Sequence, residues 1–352
     1  MSEQHIVTIK DIAQQLKLSV STVSRALRNS TEIKPATRQL VRELAAELNY
    51  TPNPIALSLK EKKSKIIGVI VPEIANNFCA STIAGIEDIA YRRGYHVIIF
   101  QSHERLEREV INTQLLSSRR IEGLIISLSN ETNSVDHIRE IVDKGIPVVM
   151  FDRVSEDIPG HKVVVNDYFG AYKGTEHLIQ EGYHRIAHIT ISKFLSITQQ
   201  RMNGYIDALK KYDIPVREEW IVHCNFASAE RSIRDLFSGP DRPNAILASV
   251  ERLATSCMNV LKDLHLRIPE DVALVAFSDN PINHLLAPAL TSVRQPTFDI
   301  GQQAAELLLN LIENKQRVKK YKTVQLETTL DIHGSSRRSH SPQGIAVKNS
   351  SL

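Results

Sequence analysis

Apolar residues recur at helical spacing in two short bursts between Thr8 and Arg28. From residue 66 onward, short apolar runs alternate with amphipathic stretches instead. In the first burst Ile9, Ile12, Ala13 and Leu16 share one helix face, and Thr8 with Asp11 three residues on has the form of a capping box. Lys17-Leu18-Ser19 makes a tight polar turn, with Ser19 suited to cap the next helix. There Val23, Ala26 and Leu27 point inward, leaving Val20, Ser21, Thr22, Ser24, Arg25 and Arg28 on the free face. A third helix begins near Pro35, a residue tolerated in a first turn, and offers Leu40, Val41, Leu44, Ala45 and Leu48 to a small core.

The later runs are Ile66–Val71, His96–Phe100, Gly123–Ser127, Pro147–Phe151, Lys162–Val165, Ile186–Thr190, Ile221–Cys224, Ala245–Ala248 and Val272–Phe277. Helical patterns such as 82–93, 171–181 and 202–212 lie between them. This alternation predicts parallel sheets covered on both faces, and so many strands suit two α/β lobes better than one. Gly94-Tyr95 and Gly182-Tyr183 fall at equivalent helix-to-strand turns, as duplicated architecture requires.

Charge sharpens the picture at the N-terminus. Residues 1–65 hold 11 Lys and Arg against 6 Asp and Glu, while the remainder is close to neutral. A polyanionic partner for the first helices fits that surplus, as does a merely solvated basic face. Small, hydroxylated and basic side chains on a short second helix suit a DNA major groove. Residues 49–65, NYTPNPIALSLKEKKSK, stop the third helix at Pro52 and Pro54 and then offer a short apolar stretch followed by lysines. Such a stretch is too short to be stable alone. It reads either as an interdomain linker or as a helix that folds on DNA and wedges a side chain between base steps.

Three sparse cysteines, Cys79, Cys224 and Cys257, argue against a disulfide framework or a structural zinc site. No cofactor or metal is expected. The first residues have no apolar signal region and no run approaches a membrane span, so a cytoplasmic protein with no membrane partner is expected. A Gly-rich phosphate loop, a G-x-S-x-G elbow and Cys/His metal spacing are all missing, and the 13 histidines are scattered, so an enzyme is not expected.

The runs TIKDIAQQLKLSVSTVSRAL, NYTPNPIALSL and KIIGVIVPEIANNFCASTIAGIEDIAYRRGYHVII closely resemble the lactose-repressor (LacI/GalR) family of bacterial transcription regulators, and the resemblance continues to about residue 333. It implies an α/β chain with an N-terminal helix-turn-helix headpiece and a hinge helix. A two-lobed periplasmic-binding-protein-like domain with parallel sheets follows. The expected division is a headpiece at 1–52, a hinge at 53–65 and an effector-binding and dimerisation domain at 66–333. Its first lobe would span about 66–164 and 295–330 and its second about 165–292, with 291–295 a crossing and 324–330 one late strand. Residues 335–352 are small, polar and without periodicity, and are expected to form a disordered tail.

By the same resemblance Val20, Ser21 and Arg25 read base edges, Ser19 and Thr22 lie near phosphates, and Asn29 makes a further backbone contact. Thr8, Ser24 and Asn53 join the DNA-binding set, and Leu59 matches the intercalating leucine. Arg25 can fork onto guanine O6 and N7, whereas Ser21 specifies little. The partners implied are double-stranded DNA carrying a pseudo-palindromic operator, a second copy of the chain and a small effector: a sugar, sugar phosphate or sugar acid. Tetramers are not expected, since the tail lacks a leucine heptad.

Effectors of such sheets bind at strand carboxyl ends between lobes. Phe78, Gln101, Ser127, Asp152, Phe226, Glu251 and Ser278 stand there, and Arg201 matches the family's ligand-gripping arginine. Two positions depart from the family. Ser278 replaces the first acid of its GFDD-type motif, and Val250-Glu251 replaces its Asn-Asp pair. Both changes remove groups that often hold sugar hydroxyls, so the pocket is expected to take something less polyhydroxylated, to take an anion or to bind weakly; a neutral Ser278 beside Arg201 would leave that arginine free for a ligand carboxylate or phosphate.

Overall fold

A computed structural model describes residues 7–50, 64–314 and 320–338. The chain divides near residue 64 into a small N-terminal unit and a large one. In the small unit, helices α1 (Ile9–Gln15), α2 (Val20–Leu27) and α3 (Pro35–Glu47) close around Ile12, Ala13, Val23, Ala26, Val41 and Ala45. The Asp11 carboxylate accepts from the Thr8 backbone N–H and hydroxyl at 2.7 and 2.8 Å, and Ser19 Oγ accepts from Thr22 N–H.

All three helices end the same way. Lys17, Asn29 and Asn49 take left-handed conformations just past the last turns, with φ of 51°, 60° and 48°. The next residue in each case, Leu18, Ser30 or Tyr50, donates back to the carbonyl of Ala13, Arg25 or Ala45. These paired returns satisfy carbonyls that would otherwise be orphaned and turn the chain sharply without glycine. Leu40 departs from expectation: it is exposed, on the outer side of α3, and Val41 and Ala45 take the core positions.

The large unit holds two six-stranded sheets. The first has the order β11-β5-β4-β3-β1-β2, built from β1 (Ile66–Val71), β2 (His96–Gln101), β3 (Gly123–Ile126), β4 (Val148–Phe151), β5 (His161–Val165) and β11 (Thr323–Leu326). The second has the order β12-β10-β9-β8-β6-β7, built from β6 (Ile186–Thr190), β7 (Ile221–His223), β8 (Ala245–Ala248), β9 (Ala273–Phe277), β10 (Thr291–Arg294) and β12 (Thr329–Asp331). All pairings are parallel except β10 with β12.

Helices α4 (Asn77–Arg92), α5 (Leu106–Ser118), α6 (Asp136–Asp143) and α11 (Thr297–Asn314) cover the first sheet. The second carries α7 (Asp167–Gln180), α8 (Ser196–Lys211), α9 (Ala229–Leu236) and α10 (Glu251–Asp263). The central strands are buried on both sides, which is why they read as continuous apolar runs. The duplication expected from Gly94-Tyr95 and Gly182-Tyr183 is present: both glycines have positive φ and both tyrosines are buried. It extends to helix packing. A Cβ on Gly85 of α4 would lie 2.1 Å from the Phe298 carbonyl oxygen of α11, and one on Gly204 of α8 would lie 2.1 Å from that of Tyr168 of α7.

The chain crosses between lobes after β5, after β10 and after β11. Two expectations are corrected here. Thr291–Arg294 is a strand of the second sheet, so the crossing begins at Gln295. The single late strand at 324–330 is two strands, one in each sheet, broken at Glu327-Thr328 because the chain changes lobes there.

The disordered tail expected from Ser335 does not begin there. Ser335 and Ser336 are buried: Ser335 Oγ donates to Leu274 O and accepts from Thr291 N–H, while Ser336 Oγ bonds His177 Nε2 at 2.7 Å. Small polar residues that look unstructured in sequence satisfy backbone groups at the starts of β9 and β10. Residues 339–352 of that expected tail lie outside the described residues, as do Asn53 and Leu59 of the hinge.

Candidate functional site

The first candidate surface is α2. Val20 is exposed, and Ser19 Oγ lies 2.8 Å from both Ser21 Oγ and Thr22 Oγ1, so these hydroxyls form one linked cluster at the helix N-terminus. Ser24 is taken up by Arg28, whose guanidinium bonds the Ser24 carbonyl and hydroxyl. Arg25 Nη1 lies 3.0 Å from Glu32 Oε2. Asn29 forms the left-handed helix end. Thr8 caps α1.

The second candidate is a cleft of about 550 Å³ of empty space, open solvent at its mouth included, where the carboxyl ends of the two sheets face each other. Phe78, Asp152, Arg201, Phe226, Glu251 and Ser278 line it. Asp152 closes β4 in a left-handed conformation, φ 56°, a strained geometry that surrounding structure must hold. Its carboxyl is buried, which raises its pKa, with the charge of Arg153 acting against that rise. Arg153 is held by Glu104 through two hydrogen bonds, of 2.6 and 3.2 Å, while its buried Nε, 3.8 Å from Asp152 Oδ2, makes no hydrogen bond. Gln295 Nε2, at the crossing after β10, is a second buried donor without one.

Arg201 overturns the expectation of a free cation. Its side chain is 2% exposed, Nε and Nη2 reach Asp167 Oδ1 at 2.7 and 2.6 Å, and Nη1 bonds the Ser249 carbonyl. The guanidinium also lies 3.9 Å over the Phe277 ring. Burial pushes the Asp167 carboxyl up to about 6 against the pull of Arg201. Ser278 is not an unoccupied neutral position either: its hydroxyl donates to Glu251, and Asn280 Nδ2 holds the other Glu251 oxygen at 2.6 Å. The acid lost from one strand end is thus supplied by the N-terminus of α10.

Hydrogen bonds tie the lobes across the cleft, among them one from Thr297 Oγ1 to Asp279 Oδ2 at 2.6 Å and three more. Ser192 N–H donates to Asn130 Oδ1 at 2.9 Å, Val154 N–H to Ser196 Oγ at 3.3 Å, and Asn77 Nδ2 to the Asp279 carbonyl at 3.4 Å.

Residues 8–53 match the model of bacterial regulatory proteins of the lacI family, and residues 175–336 match the periplasmic binding protein-like domain. The ribose operon repressor of Haemophilus influenzae is 31% identical over 92% of this chain and 97% of its own length. The chain belongs to the LacI family of bacterial regulatory proteins. It is a DNA-binding transcriptional regulator with an effector-binding domain. The transcriptional repressor PurR of Vibrio vulnificus is also 31% identical, over 90% of this chain and 95% of its own. Among solved structures, a putative ribose operon repressor from Burkholderia thailandensis is 32% identical and superposes with a TM-score of 0.71 over 76% of this chain and 99% of that one. The lac repressor dimer bound to operator and the anti-inducer ONPF is 23% identical and shares the fold over 94% of this chain and 99% of that chain, with a TM-score of 0.80. No helix among the described residues is long and apolar enough to cross a membrane.

Two of the effector residues expected from the strand-end rule do not line the cleft. Gln101 ends the edge strand β2, and its Oε1 accepts from Ile74 N–H, closing the loop after β1. Ser127 is wholly buried after β3 and takes no part in the cleft lining. Residues not singled out as effector contacts do line it, including Cys79, Ile197, Arg252 and Gln295. Burial pushes the Cys79 thiol up to about 12, so it acts as an inert apolar wall. Arg252 stacks 4.3 Å over Phe226 at the mouth. Gln295 was legible in principle, since the strand-end rule that found Asp152 applies equally to β10.

Proposed function

We propose that the chain is a cytoplasmic repressor that binds a pseudo-palindromic operator as a homodimer and is gated by a small, uncharged, polyhydroxylated effector of the sugar class. The balance of charge in the cleft carries the effector reading. Three arginines and three carboxylates line it, and Glu104 and Asp167 stand behind Arg153 and Arg201. An anionic ligand would meet no uncompensated buried cation. A sugar hydroxyl, by contrast, accepts from Arg153 Nε and Gln295 Nε2, two buried donors that make no hydrogen bond, and donates to Asp152 or Glu251. Phe78 and Phe226 offer flat apolar faces to the ring. Relatives whose names point to ribose operons agree with this class.

A homodimer is supported by exposed apolar residues on both lobes. Ile99 on the edge strand β2 and Ile111 on α5 lie on the first, and Ile282 and Leu285 on the second. Two headpieces in such a dimer reach major grooves one helical turn apart. Of the DNA contacts proposed, Val20, Ser21 and Arg25 face bases and Ser19 and Thr22 face phosphates, with Thr8, Ser24 and Asn29 as further contacts; Asn53 and Leu59 of the hinge complete the set, Leu59 as the intercalating leucine. An effector that binds the closed lobes more tightly than the open ones shifts their balance, and it can do so only by that difference in affinity.

The test is a thermal-shift and calorimetric comparison of neutral pentoses and hexoses with the corresponding phosphates and acids. Neutral sugars should raise the melting temperature. Stabilisation by the phosphates or acids alone would overturn the effector class. A mobility shift that survives competitor DNA tests the regulator itself.

A further inference from the structure

We infer that Glu32 is a positioning residue for base recognition, holding the Arg25 guanidinium so that its free edge addresses guanine. The inference rests on the proposal that α2 reads an operator. Arg25 sits in the last turn of α2 and has one partner among the described residues: Nη1 to Glu32 Oε2, at 3.0 Å. Nε and Nη2 remain, and these two donors form the edge that matches the O6 and N7 acceptors of guanine.

Glu32 is anchored by its surroundings. Ser30 N–H returns to the Arg25 carbonyl, Glu32 N–H approaches Ser30 Oγ, Ile33 N–H bonds the Ser30 carbonyl, and Ile33 packs against the headpiece core. The segment carrying the carboxylate is therefore fixed to the last turn of α2, the same turn that carries Arg25. A long side chain held at one end of its fork loses fewer rotamers on meeting a base.

The charge pattern makes the inference testable. Glu32 is the only acidic residue between Asp11 and Glu43, a stretch that holds five arginines and lysines up to Arg38 and a sixth at Arg42. A carboxylate among them repels phosphates and lowers general affinity for DNA. Removing it should therefore strengthen binding to arbitrary duplex and weaken discrimination, two effects of opposite sign. A residue that merely stabilised the headpiece would weaken both.

The experiment selects the wild-type chain against a duplex pool randomised across two half-sites and then measures competition between guanine and the other bases at the selected position. Glu32→Ala should lose up to about fivefold of the guanine preference per half-site, the range of an exposed ion pair, while binding random duplex more tightly at the same salt. Glu32→Gln, which keeps an acceptor oxygen, should fall between. In an Arg25→Ala background, Glu32→Ala should leave base preference unchanged, because no guanidinium remains to orient. Wild-type preference in Glu32→Ala, or an equal effect in the Arg25→Ala background, would overturn the inference. Absence of any selected sequence with the wild-type chain would instead overturn the operator-reading proposal beneath it.

Discussion

Acid should unfold the second lobe through His188. This histidine stands on β6, wholly buried, with Nδ1 3.1 Å from the Leu247 carbonyl and its ring stacked on Tyr205 at 5.2 Å. Nε2 has no partner, so a second proton there would place an unpaired charge in the core. Burial accordingly pushes its pKa down from 6.5 to about 3. The unfolded chain takes up a proton as pH falls through 6.5, whereas the folded lobe resists until about 3. The stability contributed is fully present above the unfolded value and is lost as pH falls toward the folded one. One and a half pH units below the unfolded value, the loss from this group is about 2 kcal/mol. Asp167, raised to about 6 by burial, works the other way, its contribution being lost as pH rises. Its effect cancels in a comparison of two chains that both carry it.

The assay uses the chain's single tryptophan, Trp220, which is buried in the second lobe and reports that lobe's unfolding by fluorescence. Urea midpoints are measured near pH 7 and pH 5 for the wild-type chain and for His188→Gln, whose amide can still donate to Leu247 O. The variant starts less stable but should lose about 2 kcal/mol less between the two conditions. An identical acid-induced loss in both chains would refute the reasoning, because every other titrating group is shared.

Asn130→Ala removes the acceptor for Ser192 N–H across the cleft and should weaken binding of the best sugar by up to about tenfold, with the Trp220 unfolding midpoint unchanged; undiminished affinity would mean that this bond plays no part in closure. Gly204→Ala forces a methyl against the Tyr168 carbonyl oxygen and should destabilise the second lobe by about 1–3 kcal/mol, read as a lower urea midpoint. A chain ending at Gly334 loses the Ser335 and Ser336 hydrogen bonds to Leu274, Thr291 and His177, and should lose about 2–4 kcal/mol from the same lobe. An unchanged midpoint would show that these strand starts are satisfied without them.

Much of the fold was legible because it is written in short windows. Thr8-x-x-Asp11 and Ser19 announce helix starts, and runs such as Ile66–Val71 and Ala273–Phe277 announce strands buried on both faces. Local rules failed where the chain changes partners. Thr291–Arg294 resembles a linker because it is short and ends in a charge, yet β9 recruits it as a strand. Ser335 and Ser336 look like tail because their composition is that of solvent-exposed loops, and only the open backbone groups of β9 and β10 make them structural. The cleft was legible to the extent that strand ends are: Asp152, Glu251 and Ser278 line it, while Gln101 and Ser127 obey the same rule and do not, because Gln101 ends an edge strand and Ser127 is wholly buried.

What the sequence determined by itself is a run of short capped helices ahead of alternating apolar strands and helices, set by periodicity and capping, and the resemblance of its motifs to the LacI family identified these as a headpiece and a two-lobed α/β domain. Tertiary structure decided the electrical state of the residues that matter. Arg25 meets Glu32, Arg201 meets Asp167, Arg153 meets Glu104, and Ser278 meets Glu251. The last three of these pairs join residues 27 to 49 positions apart. Helix and strand preferences act over a few neighbouring residues, whereas the field at a buried charge depends on which groups the packing brings within a few ångströms. The positions of the arginines were therefore readable in the chain, and whether each is free to grip a ligand was not.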